Sequence, residues 1–569
     1  MAFIRQALPA PAPAVGGTGS QQEVAAGDAP GAVGLRWADV ALVVVVFGAG
    51  LRLWRWASGL PLWLDEQMIA GNLRGRGFAE LTGRLDDSQS APLGWLWAQR
   101  AVVEVIGTGE RALRAVPVLF GIATLLAAWL IARRWLGPVG AVTLVGFCAV
   151  NGALLSYSTQ VKHYSADTFC TLALLGLAGW VAEAPQSARR IAVWWAAAVA
   201  GSWLSLGAVL VTPGLALVLL GAVWWRGRWV AALRGAVLGL VWLASFAAHY
   251  LLALRHATGS SYLRSFWAGL GYPPEAAGPG ATAEWFMRRL WLLADDPLRV
   301  VPGTTPGLLA NAAVTLFWLA VLAGMVVAAR RRLAFGLLLA VPLLSAFLLA
   351  AVRVVPLVGR LALWVVPSLF VAAACALDAA GRVAQRVAGR VAHRHVARAR
   401  VRAAAVGLSA AAGLLALALL VPPGVKAVSS TASVPDVDDR ASVAWMRSQH
   451  QPGDVTLVVG TAGRALQWYD PARTLKPSHT VVPGALAGRC DPAELRRLVA
   501  RYHRVIAYAG DRLYPYRTTY LLLERQLATL GQIVQVRHFG AGHSTVYVVD
   551  LRLPPVSAPS PADGCLAVR

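Results

Sequence analysis

Long apolar runs alternate with short polar segments along most of the chain. The first run begins near Val40, and ten more follow, at about 113–132, 139–157, 165–182, 191–204, 206–225, 229–254, 308–329, 333–351, 361–379 and 403–422. At 1.5 Å per residue, each run can cross or nearly cross a hydrocarbon core about 30 Å thick. The pattern therefore predicts an α-helical polytopic membrane protein with about eleven transmembrane helices.

One apolar segment, residues 91–107, is short and is interrupted by Gln99, Arg100 and Glu104. Polar groups in the middle of a membrane are costly, so we interpret this segment as an amphipathic helix that lies in the interface. Residues 58–112 then form one external loop. The alternative, in which 91–107 spans the membrane, would place the first loop in the cytoplasm and stays open.

Basic residues predict the orientation. The chain has 52 Lys and Arg against 28 Asp and Glu, a net charge of +24. Clusters follow alternate spans, at Arg133/Arg134, Arg189/Arg190, Arg226/Arg228, Arg330–Arg332 and 382–402. The positive-inside rule places this face in the cytoplasm, so the charge requires no nucleic-acid partner. Arg52 and Arg55, at the outer end of the first span, do not follow the rule.

Composition divides the chain into four parts. Residues 1–35 are rich in Ala, Pro, Gly and Gln, which predicts a disordered cytoplasmic tail. The membrane domain covers 36–425. From 430 to 553, short apolar strands alternate with helical patterns and predict an extracytoplasmic α/β domain, followed by a flexible tail at 554–569. Cys490 and Cys565 both lie outside the membrane, where a disulfide between them is one open alternative.

The first external loop is unusually acidic for a segment beside hydrocarbon. It contains Asp65 and Glu66, then Asp86, Asp87 and Gln89, and ends with Glu110 and Arg114. A carboxylate near the interface can accept the proton of a substrate hydroxyl or orient that hydroxyl for attack. Alternatively, the adjacent acids at 65 and 66 mark the start of a helix, where the dipole favours negative charge.

Two further external segments carry cations. The segment from Tyr157 to Tyr164 contains Lys162 and His163, and Lys162 is one of only three lysines in a chain that otherwise uses Arg. An ammonium group can neutralise a phosphate oxygen, although a lysine at an interface can also simply snorkel. Arg353 and Arg360 lie between two later spans. They either bind an anion or anchor the helix ends at the outer interface.

Short motifs link these segments to a known superfamily. They read LWLDEQ, DDSQSAPLGWLW, GERALRAVP, YSTQVKHYSAD and PLVGRLALWVVP, followed by an external α/β domain with VAWMRSQHQPGDVTLVV and LQWYD. Over residues 40–560 the chain resembles the GT-C superfamily of polytopic glycosyltransferases. It is most similar to bacterial members related to protein O-mannosyltransferases and to the lipid A aminoarabinose transferase.

The resemblance implies a GT-C fold and a polyprenyl-phosphate sugar as donor. It implies that Asp65, with Glu66 beside it, is the catalytic base or positions the acceptor. Residues expected to bind the donor phosphate are Lys162, Arg360, Arg114, Tyr164 and Arg353. Residues expected to bind the acceptor or the sugar are Asp86, Asp87, Gln89 and His163. A hexosyl or pentosyl group, of the mannose or arabinose type, would pass with inversion to an extracytoplasmic hydroxyl.

The resemblance also implies a location and leaves several points open. The protein would lie in a bacterial cell membrane among membrane lipids, and its acceptor would be a cell-envelope glycan, a glycolipid or a protein. The O-mannosyltransferase motif HPPLGK is replaced by SAPLGW, which argues against Ser or Thr of a protein as acceptor. The family varies in its use of metal, and Asp65 with Asp86 or Asp87 offers a site for a divalent cation. Trp468 and Tyr469 are a candidate pair for stacking on a sugar.

Two other classes of function would also place many apolar segments in a membrane. A transporter or flippase of a lipid-linked saccharide would carry ionisable or broken-helix features near the middle of the membrane, whereas the polar segments here lie at one external edge. A scaffold that only presents the external domain would not need so many spans or three polar segments on one side. A membrane glycosyltransferase is therefore the favoured hypothesis.

Overall fold

The computed structural model describes residues 37–258, 261–274, 278–300, 307–391, 407, 421–422, 424–429, 437–491, 493–510, 517–540, 544–557 and 565–568. The predicted amino-terminal tail and nearly all of the predicted span at 403–422 lie outside these residues.

Helices account for most of the described residues of the membrane domain. In chain order they are α1 Trp37–Ala57, α2 Leu64–Gly75, α3 Leu93–Ile106, α4 Glu110–Leu113, α5 Ala115–Trp135, α6 Pro138–Val150, α7 Gly152–Tyr157, α8 Tyr164–Glu183, α9 Ala188–Leu204, α10 Leu206–Trp224, α11 Trp229–His249, α12 Arg255–Thr258, α13 Ser261–Gly271, α14 Pro279–Asp295, α15 Leu308–Arg331, α16 Leu333–Ala351 and α17 Val366–Val391. Short turns of tighter helix lie at Glu80–Thr82, Asp86–Ser88 and Gly359–Val365, and a π-helix at Tyr250–Leu254 joins α11 to α12.

Eight segments within the described part of the chain are long and apolar enough to cross a membrane. They are Val40–Ala57, Ala115–Trp135, Tyr164–Glu183, Leu206–Trp224, Trp229–Thr258, Leu308–Arg331, Leu333–Ala351 and Gly359–Ala384. The prediction of a multi-pass helical membrane protein is thereby confirmed. The segment interpreted as an interfacial helix, α3, is not among the eight.

Two of the other predicted spans are shorter than expected. The run at 139–157 is broken at Asn151, whose side chain accepts a hydrogen bond from Leu154 N and so starts the new helix α7. The run at 191–204 lies in α9, which has 17 residues. The total of about eleven spans therefore stays a prediction.

Arg52 and Arg55, the two exceptions to the charge rule, are fully buried inside the bundle. Arg52 donates to Cys148 O at 2.8 Å, to Gly48 O at 3.0 Å and to Ala149 O at 3.3 Å. Two of these carbonyls lie in the last turn of α6, where the helix supplies no partner. Arg55 donates to Thr159 Oγ1 at 2.9 Å. Arg52 therefore stabilises an internal helix end and Arg55 binds a hydroxyl in the interior, so neither arginine carries information about orientation.

The carboxyl-terminal domain is built on one six-stranded mixed sheet. The strands are β1 Asp454–Val459, β2 Ser478–Pro483, β3 Arg504–Ala509, β4 Gln532–Phe539, β5 Ser544–Asp550 and β6 Leu566–Val568, in the order β4-β5-β3-β1-β2-β6. β1 pairs in parallel with β2 and β3, and the remaining pairs are antiparallel. Helices lie at Asp439–Gln449, Gly463–Tyr469, Gly484–Ala487, Glu494–Val499 and Arg517–Ala528. This sheet confirms the predicted α/β domain.

Both faces of this sheet are covered. Side chains alternate along a strand, and in β1 Val455 and Leu457 pack into one buried cluster while Val458 packs into the other. A domain buried on both sides of a largely parallel centre is typical of an α/β fold. The pattern of short apolar runs therefore predicted the class of this domain correctly.

The prediction of a flexible tail at 554–569 is wrong for residues 565–568. Leu566–Val568 forms β6, and Val568 pairs with Val481 of β2. Cys565, directly before β6, is joined to Cys490 by a disulfide. The covalent link and the strand pairing hold the end of the chain on the sheet, and the open question of a Cys490–Cys565 bridge is answered in its favour.

Candidate active site

The first loop places Asp65 and Glu66 in the first turn of α2, which begins directly after Trp63. Trp63 N donates to Glu66 Oε2 at 3.3 Å, so Glu66 satisfies a backbone group at the start of the helix. The interpretation of these acids as a helix start is therefore correct as local structure. Their side chains nevertheless have different surroundings, because successive residues on a helix point about 100° apart.

Glu66 points into the protein and is completely buried. It accepts hydrogen bonds from Arg114 Nε at 3.0 Å, from Arg114 Nη2 at 2.7 Å and from Val161 N at 2.7 Å. Arg114 also donates to the carbonyls of Leu60 and Pro61. This buried pair joins the first loop, the start of α5 and the segment that carries Lys162.

Neither member of this pair is open to a substrate. Arg114 is 1% exposed, and four of its hydrogen bonds go to protein groups. Their charges neutralise each other, and this ion pair holds the first loop against the start of α5. The expected roles of Glu66 as a second catalytic carboxylate and of Arg114 as a phosphate ligand stay predictions.

Asp65 lies on another side of α2, against the end of the third polar segment. Arg360 Nη2 is 2.6 Å from Asp65 Oδ2, and the two side chains are 25% and 19% exposed. The guanidinium carbon of Arg360 also lies 5.4 Å from the centre of the Trp63 ring. Burial by itself would raise the pKa of the Asp65 carboxyl, but the charges of Lys162 and Arg360 together hold that pKa below its ordinary value. Asp65 is therefore ionised at neutral pH.

Lys162 completes this group of three charges. Its ammonium donates to Gln89 Oε1 at 2.6 Å, and the residue is 6% exposed. Burial lowers the pKa of Lys162 to about 8, against the opposing influence of Asp65. Gln89 directly follows Asp87 and Ser88, which have positive φ angles of 58° and 53°. Such backbone conformations are unfavourable for these residues and are typical of functional loops.

Two aromatic residues border the cluster. Tyr157 and Tyr164 interact electrostatically with Arg360, and their rings meet edge to face with centroids 5.4 Å apart. Both rings thus lie close enough to Arg360 to interact with its charge, and the expected role of Tyr164 as a phosphate ligand stays a prediction. Tyr157 was not singled out from the sequence, where it appears only as the first residue of its motif.

His163 lies next to this site but is directed inward. Its Nε2 is 3.5 Å from Asp167 Oδ2, and Asp167 in turn accepts from Ser205 Oγ and Gly207 N. Burial and the nearby positive charges of Lys162 and Arg360 lower the pKa of His163 to about 3. A neutral, buried histidine of this kind is typical of a packing residue, and its expected role in binding the acceptor stays a prediction.

Asp296 is a site residue that the sequence reasoning missed. Its carboxylate is 2.9 Å from Arg299, and a Cβ added at Gly359 would lie only 2.7 Å from Asp296 Oδ2. Gly359 has a φ of 42°, so both its backbone and its neighbour favour glycine there. Asp296 therefore contacts the turn that presents Arg360. The adjacent acids at 295 and 296, at the end of an amphipathic helix, were the available signal.

The other predicted site residues are bound elsewhere. Asp86 pairs with Arg76 at 2.8 Å, Asp87 pairs with Arg464, and Arg353 donates to Pro273 O at 3.0 Å. These contacts do not join the three residues to the cluster of Asp65, Lys162 and Arg360.

The same contacts bear on a divalent cation. Asp65, Asp86 and Asp87 face three different arginines, Arg360, Arg76 and Arg464. Among the residues that the structure describes, no three His, Cys, Asp or Glu side chains are grouped so that they could hold a metal ion. The acids of the first loop thus do not fit a shared metal site, and no chemical step is assigned to a metal here.

The carboxyl-terminal domain contacts the first loop next to Asp65. The hydroxyl of Tyr469 accepts from Leu62 N at 2.6 Å and donates to Glu110 at 2.8 Å. Gln67 Nε2 donates to Leu62 O at 2.7 Å and to Asp439 Oδ2 at 2.5 Å. Arg74 lies over the Trp468 ring at 4.3 Å. Trp468 and Tyr469, the candidate sugar-stacking pair, are thus both engaged with the loop.

Replacing Tyr469 by Phe is expected to lower the free energy of unfolding by about 1–3 kcal/mol, because Leu62 N loses its partner in a partly buried place. The midpoint of thermal unfolding of the purified full chain measures this. Tyr502→Phe, on the far side of the same domain, is the matched control and should leave the midpoint unchanged. An unchanged midpoint for Tyr469→Phe would show that the contact does not stabilise the loop.

Comparison with known proteins gives similarity in structure but not in sequence. No protein-family model matches the chain, and no curated protein matches it. The oligosaccharyltransferase of Archaeoglobus fulgidus, in the apo form, aligns with a TM-score of 0.51 at 14% identity, over 92% of this chain and 75% of that one. ArnT from Cupriavidus metallidurans aligns with a TM-score of 0.47, at 14% identity in the apo state and 15% when bound to undecaprenyl phosphate. These alignments cover 92% of this chain and 100% and 98% of the ArnT chains. The oligosaccharyltransferase is a membrane glycosyltransferase of the GT-C superfamily, and the helical membrane domain of this chain, with its carboxyl-terminal α/β domain, has the GT-C fold.

Proposed function

We propose that this protein is an integral-membrane glycosyltransferase that moves a sugar from a polyprenyl-phosphate donor to an extracytoplasmic hydroxyl. The acceptor class is a cell-envelope glycan, a glycolipid or a protein. The observation that carries the proposal is the cluster of Asp65, Lys162 and Arg360, which come from three distant segments and meet beside the ends of membrane helices. The two cations suit an anionic lipid headgroup at the membrane surface, and the nearby carboxylate suits an acceptor hydroxyl.

In the proposed reaction, the bond between the anomeric carbon and the phosphate oxygen breaks while the acceptor oxygen attacks the same carbon from the opposite face. Polyprenyl phosphate leaves with one more negative charge, which the Lys162 ammonium and the Arg360 guanidinium stabilise. The acceptor hydroxyl gives its proton to Asp65. Holding both substrates in line lowers the entropic part of the barrier, and attack from the opposite face inverts the configuration.

The ion pair between Asp65 and Arg360 suggests an order of events. Arg360 contacts Asp65 at 2.6 Å, and that contact holds the carboxylate in a weakly basic form. A bound phosphate would take over part of the charge of Arg360 and Lys162. The pKa of Asp65 would then rise, because the two cations that lower it would be neutralised. Donor binding would in this way prepare Asp65 to accept a proton.

The direct test uses the purified full chain. Mass spectrometry of the lipids that copurify with it should show a polyprenyl phosphate or its glycosylated form. Incubation with a polyprenyl-phosphate sugar and an envelope fraction should release polyprenyl phosphate and leave the sugar on an acceptor. Movement of the intact donor across proteoliposomes without bond cleavage would instead support a flippase and overturn the proposal.

Lys162 should make donor binding depend on pH. Its pKa is about 8, so the ammonium is present below that pH and is lost as the pH rises towards 9. The affinity for polyprenyl phosphate should therefore fall between pH 7 and pH 9. At pH 7, Lys162→Ala should bind about ten- to a hundredfold more weakly, since a hydrogen bond to a charged group contributes about 1.5–3 kcal/mol.

Lys162→Arg is the matched variant for this prediction. Arginine keeps its charge across the range, so its binding should not change between pH 7 and pH 9. Equilibrium binding of fluorescent polyprenyl phosphate to the protein in detergent measures both effects. The same pH profile for Lys162→Arg as for the wild type would assign the dependence to another group.

A further inference from the structure

A second cavity lies at the other end of the membrane helices, far from the charged cluster along the same helices. It is a groove of about 130 Å³ between α5, α8, α15, α16 and α17. Ile131, Leu175, Leu339 and Val371 contribute to its apolar wall. Leu175 is eleven residues into α8, or about 16 Å from the Tyr164 end at 1.5 Å per residue. The proposed transfer reaction does not use this groove.

Two glycines on α8 make room for the groove. A Cβ added at Gly176 would lie 3.0 Å from Ile131 Cγ1, and one added at Gly179 would lie 3.3 Å from the Trp135 ring. Both distances are closer than ordinary side-chain contacts, so a larger residue at either position would push into α5 or into the groove. The small residues thus hold α5 and α8 close together and keep the space beside them open.

The rim of the groove carries a positive charge. Arg331, the last residue of α15, lines the groove and is 38% exposed. It donates to Trp135 O at 3.0 Å, and its Nη2 is 3.8 Å from Asp378 Oδ2. Asp378 is buried and also pairs with Arg382. One carboxylate therefore faces two arginines, and this end of the groove keeps a net positive charge.

The apolar wall of the groove suits a hydrocarbon chain, and its positive rim suits an anionic group. The predicted topology places Arg331 at the cytoplasmic surface, where anionic lipids concentrate near basic residues. We propose that the groove binds one acyl chain of an anionic phospholipid, with the lipid phosphate on Arg331. A polyprenyl donor is a weaker fit, because its phosphate would lie on Lys162 and Arg360 at the opposite end of α8.

The experiment measures binding of phosphatidylglycerol to the purified full chain, with phosphatidylcholine as the neutral comparison. Native mass spectrometry in detergent gives the affinity, and the midpoint of thermal unfolding gives an independent readout, because a ligand of the folded state raises that midpoint. Arg331→Gln should weaken phosphatidylglycerol binding about tenfold, since it removes a hydrogen bond to a charged group. Arg330→Gln, an exposed neighbour outside the groove, should have no effect.

A second variant tests the apolar part. Gly176→Leu should fill the groove and weaken both lipids, whereas Gly221→Leu should not, since a Cβ at Gly221 has no neighbour within 4 Å. Equal affinity for the two lipids in the wild type, or unchanged binding in both Arg331→Gln and Gly176→Leu, would overturn the proposal. Displacement of phosphatidylglycerol by polyprenyl phosphate, unaffected by Arg331→Gln, would assign the groove to the donor chain instead and also count against it.

Discussion

Asp65→Asn is expected to lower sugar transfer by about a hundred- to ten-thousand-fold, the usual contribution of a positioned acid or base. The amide keeps the size of the side chain but can neither accept the proton of the acceptor hydroxyl nor carry its charge. Donor affinity should not fall with the rate. Arg360 loses its partner at 2.6 Å in this variant, so its guanidinium becomes fully available to the donor phosphate.

Two measurements separate this prediction from a folding defect. Initial rates of transfer at saturating donor report the chemical step, and equilibrium binding of polyprenyl phosphate reports the integrity of the cationic side of the site. Asp491→Asn is the matched control, because Asp491 is an exposed carboxylate of the carboxyl-terminal domain. If Asp65→Asn transfers sugar at the wild-type rate, the base lies elsewhere, and Asp296, beside the turn of Arg360, becomes the next candidate to examine.

The sequence was most informative where charge contradicted its surroundings. Lys162 stood out as a rare lysine, and Asp65 and Arg360 stood out as charges on the side predicted to be external. The structure brings these three together. The sequence pattern alone could not predict that these residues meet, because they are far apart in the chain. Their meeting depends on how α2, the start of α8 and the turn before α17 pack.

The same reasoning failed for charges that are neutralised inside the protein. Glu66 and Asp65 are adjacent in the sequence, yet one faces Arg114 in a buried pair and the other faces Arg360 in a partly exposed one. Arg52 and Arg55 were exceptions to the topology rule because they bind backbone and hydroxyl oxygens in the interior. Burial of a charge is a property of tertiary packing, and no local pattern reports it.

Helix lengths were predicted less well than helix existence. Apolar periodicity located the long membrane helices, but a continuous apolar run at 139–157 is divided by the single cap at Asn151. In the carboxyl-terminal domain, the apolar runs at 455–459, 504–508, 533–536 and 545–550 predict β1, β3, β4 and β5, whereas β2 and the short β6 are not predicted.

Glu66→Gln is expected to destabilise the protein by about 3–5 kcal/mol, because it leaves the buried Arg114 without its counter-charge. Glu66 is completely buried and accepts three hydrogen bonds from Arg114 and Val161. The midpoint of thermal unfolding should therefore fall sharply. Glu104→Gln removes a half-exposed partner of Arg100 in the same loop and should change the stability by about 0–1 kcal/mol.

A double variant shows whether the effect comes from the unpaired charge. Glu66→Leu combined with Arg114→Met replaces the pair by apolar groups, and such replacements recover most of the stability that a single change loses. If the double variant is stable and still transfers sugar, Glu66 only holds the loop in place. A variant Glu66→Gln that unfolds at the wild-type temperature but no longer transfers sugar would instead make Glu66 the catalytic carboxylate. The two adjacent acids of the LWLDEQ segment are therefore distinguished by different measurements. Substitution of Glu66 should change the stability, whereas substitution of Asp65 should change the rate of transfer.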